Sequence, residues 1–157
     1  MAYTTAEIKN NYPMPVYNYR VDIGGESIAF SQVSGLNVSY ETHVYKESHV
    51  EPGKAGPVVM RMPAQQSDVK ITLKKGVVKG KSLPKLYGWI STMKTNQIEK
   101  KDITVALLDE TGTPVITWHV LNAFPTKLEA PSFDAKSNDA AIESMELMAD
   151  TIQISEP

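Results

Sequence analysis

The sequence contains no cysteine. That absence excludes a disulfide framework and any thiolate-ligated metal, and it suits assembly in a reducing compartment. Charge of one sign is not in excess either: the formal net charge is -2. Such a balance gives no electrostatic mandate for nucleic acid or for an anionic membrane. No apolar run approaches the roughly 18–20 residues of a membrane span. The polar stretch from Met1 to Tyr12, carrying Glu7 and Lys9, lacks the apolar core of a secretory leader. Catalytic signatures are missing too: there is no Gly-x-Ser-x-Gly elbow, no Gly-rich phosphate loop before a helix and no His-Glu-x-x-His pair. The three histidines, His43, His49 and His119, show no metal-ligand spacing, although Glu47 and Glu51 lie near two of them. These gaps together point away from an enzyme, a cofactor, a metal site and a membrane anchor.

What is present reads as short strands. The 157 residues fit one domain over 1–157, since domains commonly run about 100–150 residues. Ten prolines and nine glycines cut the chain into short segments, which disfavours long helices. Tyr17, Tyr19, Val21 and Ile23 alternate with polar residues, Gly24-Gly25 supplies a hairpin turn, and Ile28 and Phe30 resume the alternation. Further strands are expected over Leu36–Glu47, over Val58–Met62 with Pro63 as its end, and over Val69–Leu73. Ile103–Leu107 and Val115–Leu121 follow the same logic, joined by a turn at Asp109–Gly112. One helix is expected from Leu83 to Met93, with Ser82 as N-cap, Pro84 in the first turn and the pattern breaking at Asn96. Between residues 139 and 153 the pattern is divided. Ile142, Met145, Met148 and Ile152 fit helical spacing, whereas a strand requires a bulge or a change of partner near Ala149.

Two further features bear on contacts. Lys74, Lys75, Lys79, Lys81 and Lys85 form one basic cluster, but without the interleaved aromatics that stack bases. A long inter-strand loop is expected over 46–57, where Pro52, Gly53, Gly56 and Pro57 gather, and long ordered loops usually serve a function. Many short strands around one helix predict a mainly β domain, an antiparallel β-sandwich or barrel with one flanking α-helix.

Several blocks, in order, resemble the phage-tail-tube-like proteins. Phe30-Ser31-Gln32-Val33-Ser34-Gly35-Leu36 is similar to that family's F-x-x-V-x-G-L opening. Ile71–Val77 followed by Leu86-Tyr87-Gly88-Trp89 resembles its strand, turn and helix. The run Leu107–Pro114, then Trp118 and Asn122-Ala123-Phe124-Pro125-Thr126-Lys127, resembles its L-x-D-x-x-G-x-P, W and N-A-W-P-x-K block, with Phe124 replacing tryptophan. Asn138–Leu147 is similar to its N-x-x-A-I-E-x-[IM]-E-L tail. Tyr45-Lys46-Glu47 resembles the family's Y-R-E-G, but Ser48 and His49 stand where it has glycines.

The resemblance implies a subunit of the inner tube of a contractile, phage-tail-like injection system, and it implies that residues 139–153 are strand. Six copies would form a ring, and rings would stack inside a sheath. The implied partners are further copies of the chain, the sheath protein, the baseplate or spike, tube-initiator proteins, and toxin or effector cargo in the lumen. Assembly is expected in the bacterial cytoplasm, then residence in an extracellular particle, a cell-anchored system or a virion. Related readings are an initiator or adaptor ring and a bacteriophage tail tube conducting DNA, the one case in which nucleic acid enters. From another class, a small-ligand-binding β-barrel would need a deep apolar cavity. For contacts between copies the candidate residues are Tyr45, Lys46, Glu47, Glu51, Lys54, Val58 and Val59 of the long loop, together with Tyr12 of an N-terminal arm over 1–15. Lys85, Ser91 and Lys94 form the helix's polar face, which covers the sandwich or meets the sheath.

Overall fold

The computed structural model describes residues 2–95 and 97–157; Met1, Asn96 and the Leu83 side chain lie outside the described residues, and so do the expectations that fell on them. The chain is mainly antiparallel β-structure. Its strands are β1 (Tyr19–Ile23), β2 (Glu26–Ile28), β3 (Gln32–Ser34), β4 (Tyr40–Ser48) and β5 (Pro57–Gln66). They continue as β6 (Val69–Gly76), β7 (Lys101–Leu108), β8 (Pro114–Glu129), β9 (Ile142–Ala149) and β10 (Thr151–Ser155). Eight strands join in one sheet whose path runs β2-β1-β7-β8-β9-β6-β3, with β10 added alongside β8. Among the described residues, strands β4 and β5 pair only with each other.

The long strand β8 turns this path into two layers. Its first half, Pro114–Leu121, pairs with β7 and β10, whereas Phe124–Glu129 pairs with β9. Between the halves sits Asn122, with φ 55, the sole non-glycine with positive φ among the described residues. Asparagine tolerates this conformation better than a branched residue would. Its backbone N–H donates to Asp102 Oδ1 at 3.0 Å and its side chain donates to Asp150 Oδ2 at 2.9 Å. Asp150 is the residue separating β9 from β10, and its N–H donates to the Leu121 carbonyl. One corner thus manages both strand switches.

The core lies between the layers. On β6, Val69, Ile71 and Leu73 are buried while Lys70 is exposed, the alternation that a half-buried strand requires. On β9, Met145, Leu147 and Ala149 face the same interior, and Ile152 of β10 is buried after the break. The C-terminal region is therefore strand, and the helical spacing of its apolar residues is overridden by pairing with β6 and β8. The change of partner needed near Ala149 falls at Asp150.

Several expected boundaries change. The helix is shorter: a π-helical turn over Leu83–Tyr87 leads into a short α-helix over Gly88–Ile90. Ser82 does not cap it. Its Oγ accepts the Val78 N–H at 2.8 Å, tying the preceding loop instead. Trp89 is buried from this turn against the core and donates to the Glu99 carbonyl at 2.7 Å. At the N-terminus, the arm contains a helix, α1 (Thr5–Asn11), that alternation does not suggest. Thr4 and Glu7 form a reciprocal capping box there, a signature present in the sequence as Thr4-x-x-Glu7.

Candidate assembly surfaces

The structure extends the strands into the region expected to be a long loop. β4 continues through Lys46 and Glu47 to Ser48, and β5 starts at Pro57 and runs past Pro63 to Gln66. The connecting loop is thus 49–56 rather than 46–57. Pro63 fits within β5 because β4 and β5 form a two-stranded ribbon, whose outer edges need no ladder hydrogen bond. In the connecting loop, Glu51 and Lys54 form an exposed ion pair at 2.5 Å.

Register sorts the candidate residues onto two faces. Residues directly opposite each other across an antiparallel pair project to the same side, and the side alternates along each strand. Tyr45 faces Met60, His43 faces Met62, and Glu47 faces Val58. That face is mostly apolar. The other carries Lys46 with Val59 and Val44 with Arg61. Val58 and Val59, adjacent in sequence, therefore belong to different surfaces.

Among the described residues, neither face is buried against the body of the domain. Every residue of β4 is exposed, and in β5 all but Val58 are. Tyr45 is 48% exposed, Met60 41% and Met62 42%. The ribbon is tied at its base, where Ser67 N–H donates to the Ser39 carbonyl at 2.9 Å and Gln66 Nε2 to Thr151 Oγ1 at 3.2 Å. A lone two-stranded hairpin is marginally stable in water. Exposed apolar patches on proteins commonly mark interaction sites, and this face is the most apolar part of the ribbon.

Tyr12 belongs to a second surface. It follows α1, stacks edge-on against Tyr3 with ring centroids 5.7 Å apart, and lines a hollow with Ile8, Pro13 and Leu108. Lys9 Nζ reaches Glu110 Oε1 at 2.6 Å, linking the arm to the β7–β8 turn. The Lys9 ammonium holds the Glu110 carboxyl below its usual range, and Glu110 in turn raises Lys9. In the same turn Asp109 is lowered, chiefly by the Thr111 hydroxyl and then by the Thr113 N–H.

The basic cluster does not form one patch. Lys75 is buried, its Nζ donating to the Ala29 carbonyl at 3.3 Å, while Lys85 is paired with Glu26. On the polar face expected for the helix, Ser91 turns back to donate to the Gly88 carbonyl. His43 lies in β4, His49 in the connecting loop, and His119 in β8 beside Ser155 Oγ at 3.1 Å. Among the described residues, no cluster of three or more His, Asp or Glu side chains is arranged to hold a metal. No helix among them is long and apolar enough to cross a membrane.

Among the described residues the fold is a mainly antiparallel β-domain from which one exposed two-stranded ribbon projects. The model of the family described as T4-like virus tail tube protein gp19 matches residues 15–153, and the chain belongs to that family. Among solved structures, it is similar to a chain of the PVC sheath–tube complex, an extracellular contractile injection system in its extended state. That match has 43% identity and a TM-score of 0.89, covering 99% of this chain and 100% of the other. It is also similar to a chain of the tube-terminating cap of the anti-feeding prophage, at 40% identity and TM-score 0.85, with full coverage of both. The Hcp1 protein of Flavobacterium johnsoniae shares the fold at 16% identity, with a TM-score of 0.52 over 90% of this chain and 97% of that one. No curated protein sequence matches the chain. The chain is a tail tube subunit, and its relatives at 43% and 44% identity come from an extracellular contractile injection system.

Proposed function

We propose that the protein polymerises into the hollow inner tube of a contractile injection system, as six-membered rings stacked within a sheath and seated on a baseplate. The observation that carries this reading is the β4–β5 ribbon, an exposed, largely apolar surface with no packing partner among the described residues, on a subunit whose whole length matches tube-associated chains. In this reading Tyr45, Lys46, Glu47, Glu51, Lys54, Val58 and Val59 contact neighbouring copies, and Tyr12 contacts them through the arm. The outward face of β6 and β9 carries Lys70, Thr72 and Glu146, the latter two directly paired, and suits a water-filled lumen through which cargo passes. Closed rotational symmetry makes the ring, and head-to-tail contact between rings makes an open-ended stack.

Negative-stain microscopy of the purified protein at rising concentration tests the reading, with rings or hollow rods as the expected result. A particle that stays a single chain at every concentration overturns it. Replacing Val58 and Val59 together by aspartate leaves a folded monomer and abolishes the rods. Rods that persist after that change remove the ribbon from the contact.

A further inference from the structure

The interior face of β6 ends on a charge. Beyond Leu73 and Met145, both fully buried, the next residues on that face are Lys75 and Glu143, directly opposite each other across the ladder. Lys75 is 7% exposed, and Glu143 Oε1 is buried with no hydrogen-bond partner among the described residues. Yet the two form no ion pair. Lys75 Nζ turns the other way and donates to the Ala29 carbonyl at 3.3 Å, longer than the roughly 2.7–3.2 Å of a good bond. A buried acceptor without a donor carries the cost of its desolvation. The residue that could relieve it starts about 5 Å away at Cβ.

Ala29 belongs to the strap Ala29–Ser31, which links β2 to β3, the two ends of the sheet path. These edge strands do not pair with one another, so the seam between them is closed by other bonds. From the opposite layer, the Tyr19 hydroxyl donates to the Phe30 carbonyl at 2.6 Å. Burial raises the Tyr19 phenol, which keeps that proton in place. The Ser31 N–H and Oγ donate to the Lys74 carbonyl at 2.7 and 3.1 Å. Beside the strap lies an apolar groove of about 1050 Å³, lined by Phe30, Leu36 and Trp118 among others.

We propose that Lys75 is a two-position latch on this strap. With Nζ on Ala29 the seam is closed, as here; with Nζ on Glu143 the strap is released and the groove widens, while both ladders stay paired. β6 lies between β3 and β9, so Lys75 reaches either acceptor by rotating its own side chain. Each position fills one acceptor and leaves the other bare, which sets the two against each other. Glu143 offers the ammonium a charged partner, the stronger kind. The closed strap is favoured instead by Phe30, which packs against the core. The latch is a property of the single chain and does not depend on assembly.

Hydrogen exchange of residues 29–31 in the full-length subunit reads the latch, with β6 and β9 as internal reference. Glu143→Gln keeps the side chain's size but removes the charge that draws Nζ away, so strap exchange should slow about threefold. Lys75→Met removes the tie, and strap exchange should rise about tenfold. An uncharged dye that brightens in apolar surroundings should gain more emission with Lys75→Met than with the unsubstituted protein, and less with Glu143→Gln. A fixed structural contact between Lys75 and Glu143 predicts the opposite sign for Glu143→Gln, with exchange rising in the strap and in β6 and β9 together. That result, or a strap indifferent to Glu143→Gln, overturns the latch. Should Lys75→Met fail to fold, Glu143→Gln decides alone, since it retains an acceptor of the same shape.

Discussion

Two ladders in this molecule are alike in backbone and opposite in fate. β6–β9 and β4–β5 are both antiparallel, each with eight registered residue pairs. In the first, one face is sealed: Leu73 and Met145, directly opposite each other, are both fully buried. In the second, both faces meet water, although Tyr45 and Met60 are equally opposed and equally apolar. Hydrogen-bonded pairing is thus common to both, and burial alone separates them. Since burial supplies most of folding stability, β6–β9 holds the domain together, whereas the apolar side chains of β4–β5 remain available to another molecule.

The comparison breaks most sharply under truncation. Leu73→Ala removes a fully buried side chain and should cost about 3 kcal/mol of unfolding free energy. Met60→Ala, equally apolar but exposed, should change monomer stability by less than about 0.5 kcal/mol while impairing assembly. Urea denaturation of monomer beside microscopy of concentrated protein reads both. A comparable stability loss in the two variants would show that the ribbon is folded against its own domain.

Backbone geometry gives the next effect. Gly35 has φ 88, and a Cβ there would overlap the Lys70 carbonyl oxygen. Gly35→Ala should therefore cost about 2 kcal/mol through strain and a forced shift of the chain against β6. Gly53, at φ 81 in the ribbon's connecting loop, has open space around it. Its alanine variant carries only the conformational penalty of about 1 kcal/mol, so the global unfolding midpoint should shift about half as far as for Gly35→Ala. At the corner of β8, Asn122→Ala should cost about 1–2 kcal/mol, from the positive φ and the lost bond to Asp150. Asn122→Gly keeps the conformation and should lose less. Equal losses would assign the whole effect to the hydrogen bond.

Much of this fold is legible in the sequence, for physical reasons that particular residues illustrate. Val69, Ile71 and Leu73 bury one face and wet the other, so period-two alternation marks β6. Gly24 and Gly25 both take positive φ, as a two-residue hairpin turn requires. The ribbon is the harder case. With both faces wet, β4 has no alternation of burial to display, and its composition around Lys46–Ser48 reads as loop. Pro63 reads as a strand end because sequence cannot tell an edge from an interior. The arm helix escapes periodicity for a related reason: no residue of α1 is buried, so it carries no apolar stripe, and its capping box is the available sign. The candidate contact residues stand out as neighbours in sequence. Their division into two faces, with Val58 and Val59 apart, follows from register, which no single-strand pattern contains.

The arm supplies the smallest effect, and the one with a defined pH window. It is fastened by charge where the body is fastened by packing. Glu7 is lowered by the Thr4 N–H and hydroxyl, Asp109 by the Thr111 hydroxyl first, and Glu110 by Lys9 first. A carboxyl lowered in the folded state stabilises it above the ordinary carboxylate range, and that contribution is lost as pH falls through the folded value. Lys9 is raised, so its share holds below its ordinary value and is lost as pH rises through the raised one. The arm should therefore stay docked between about pH 5 and pH 10 and loosen outside that range. Hydrogen exchange of residues 5–12, corrected for intrinsic rate, should rise at pH 3 while β6 and β9 stay protected. Glu110→Gln at pH 7 should release part of the same protection by removing the charge that Lys9 meets. Thr4→Ala should fray the helix without undocking the turn. An arm equally protected at pH 3 and pH 7 would mean that Ile8 and Tyr12 hold it by contact with Leu108, and the arm would then belong with the packed body instead of with its exposed appendages.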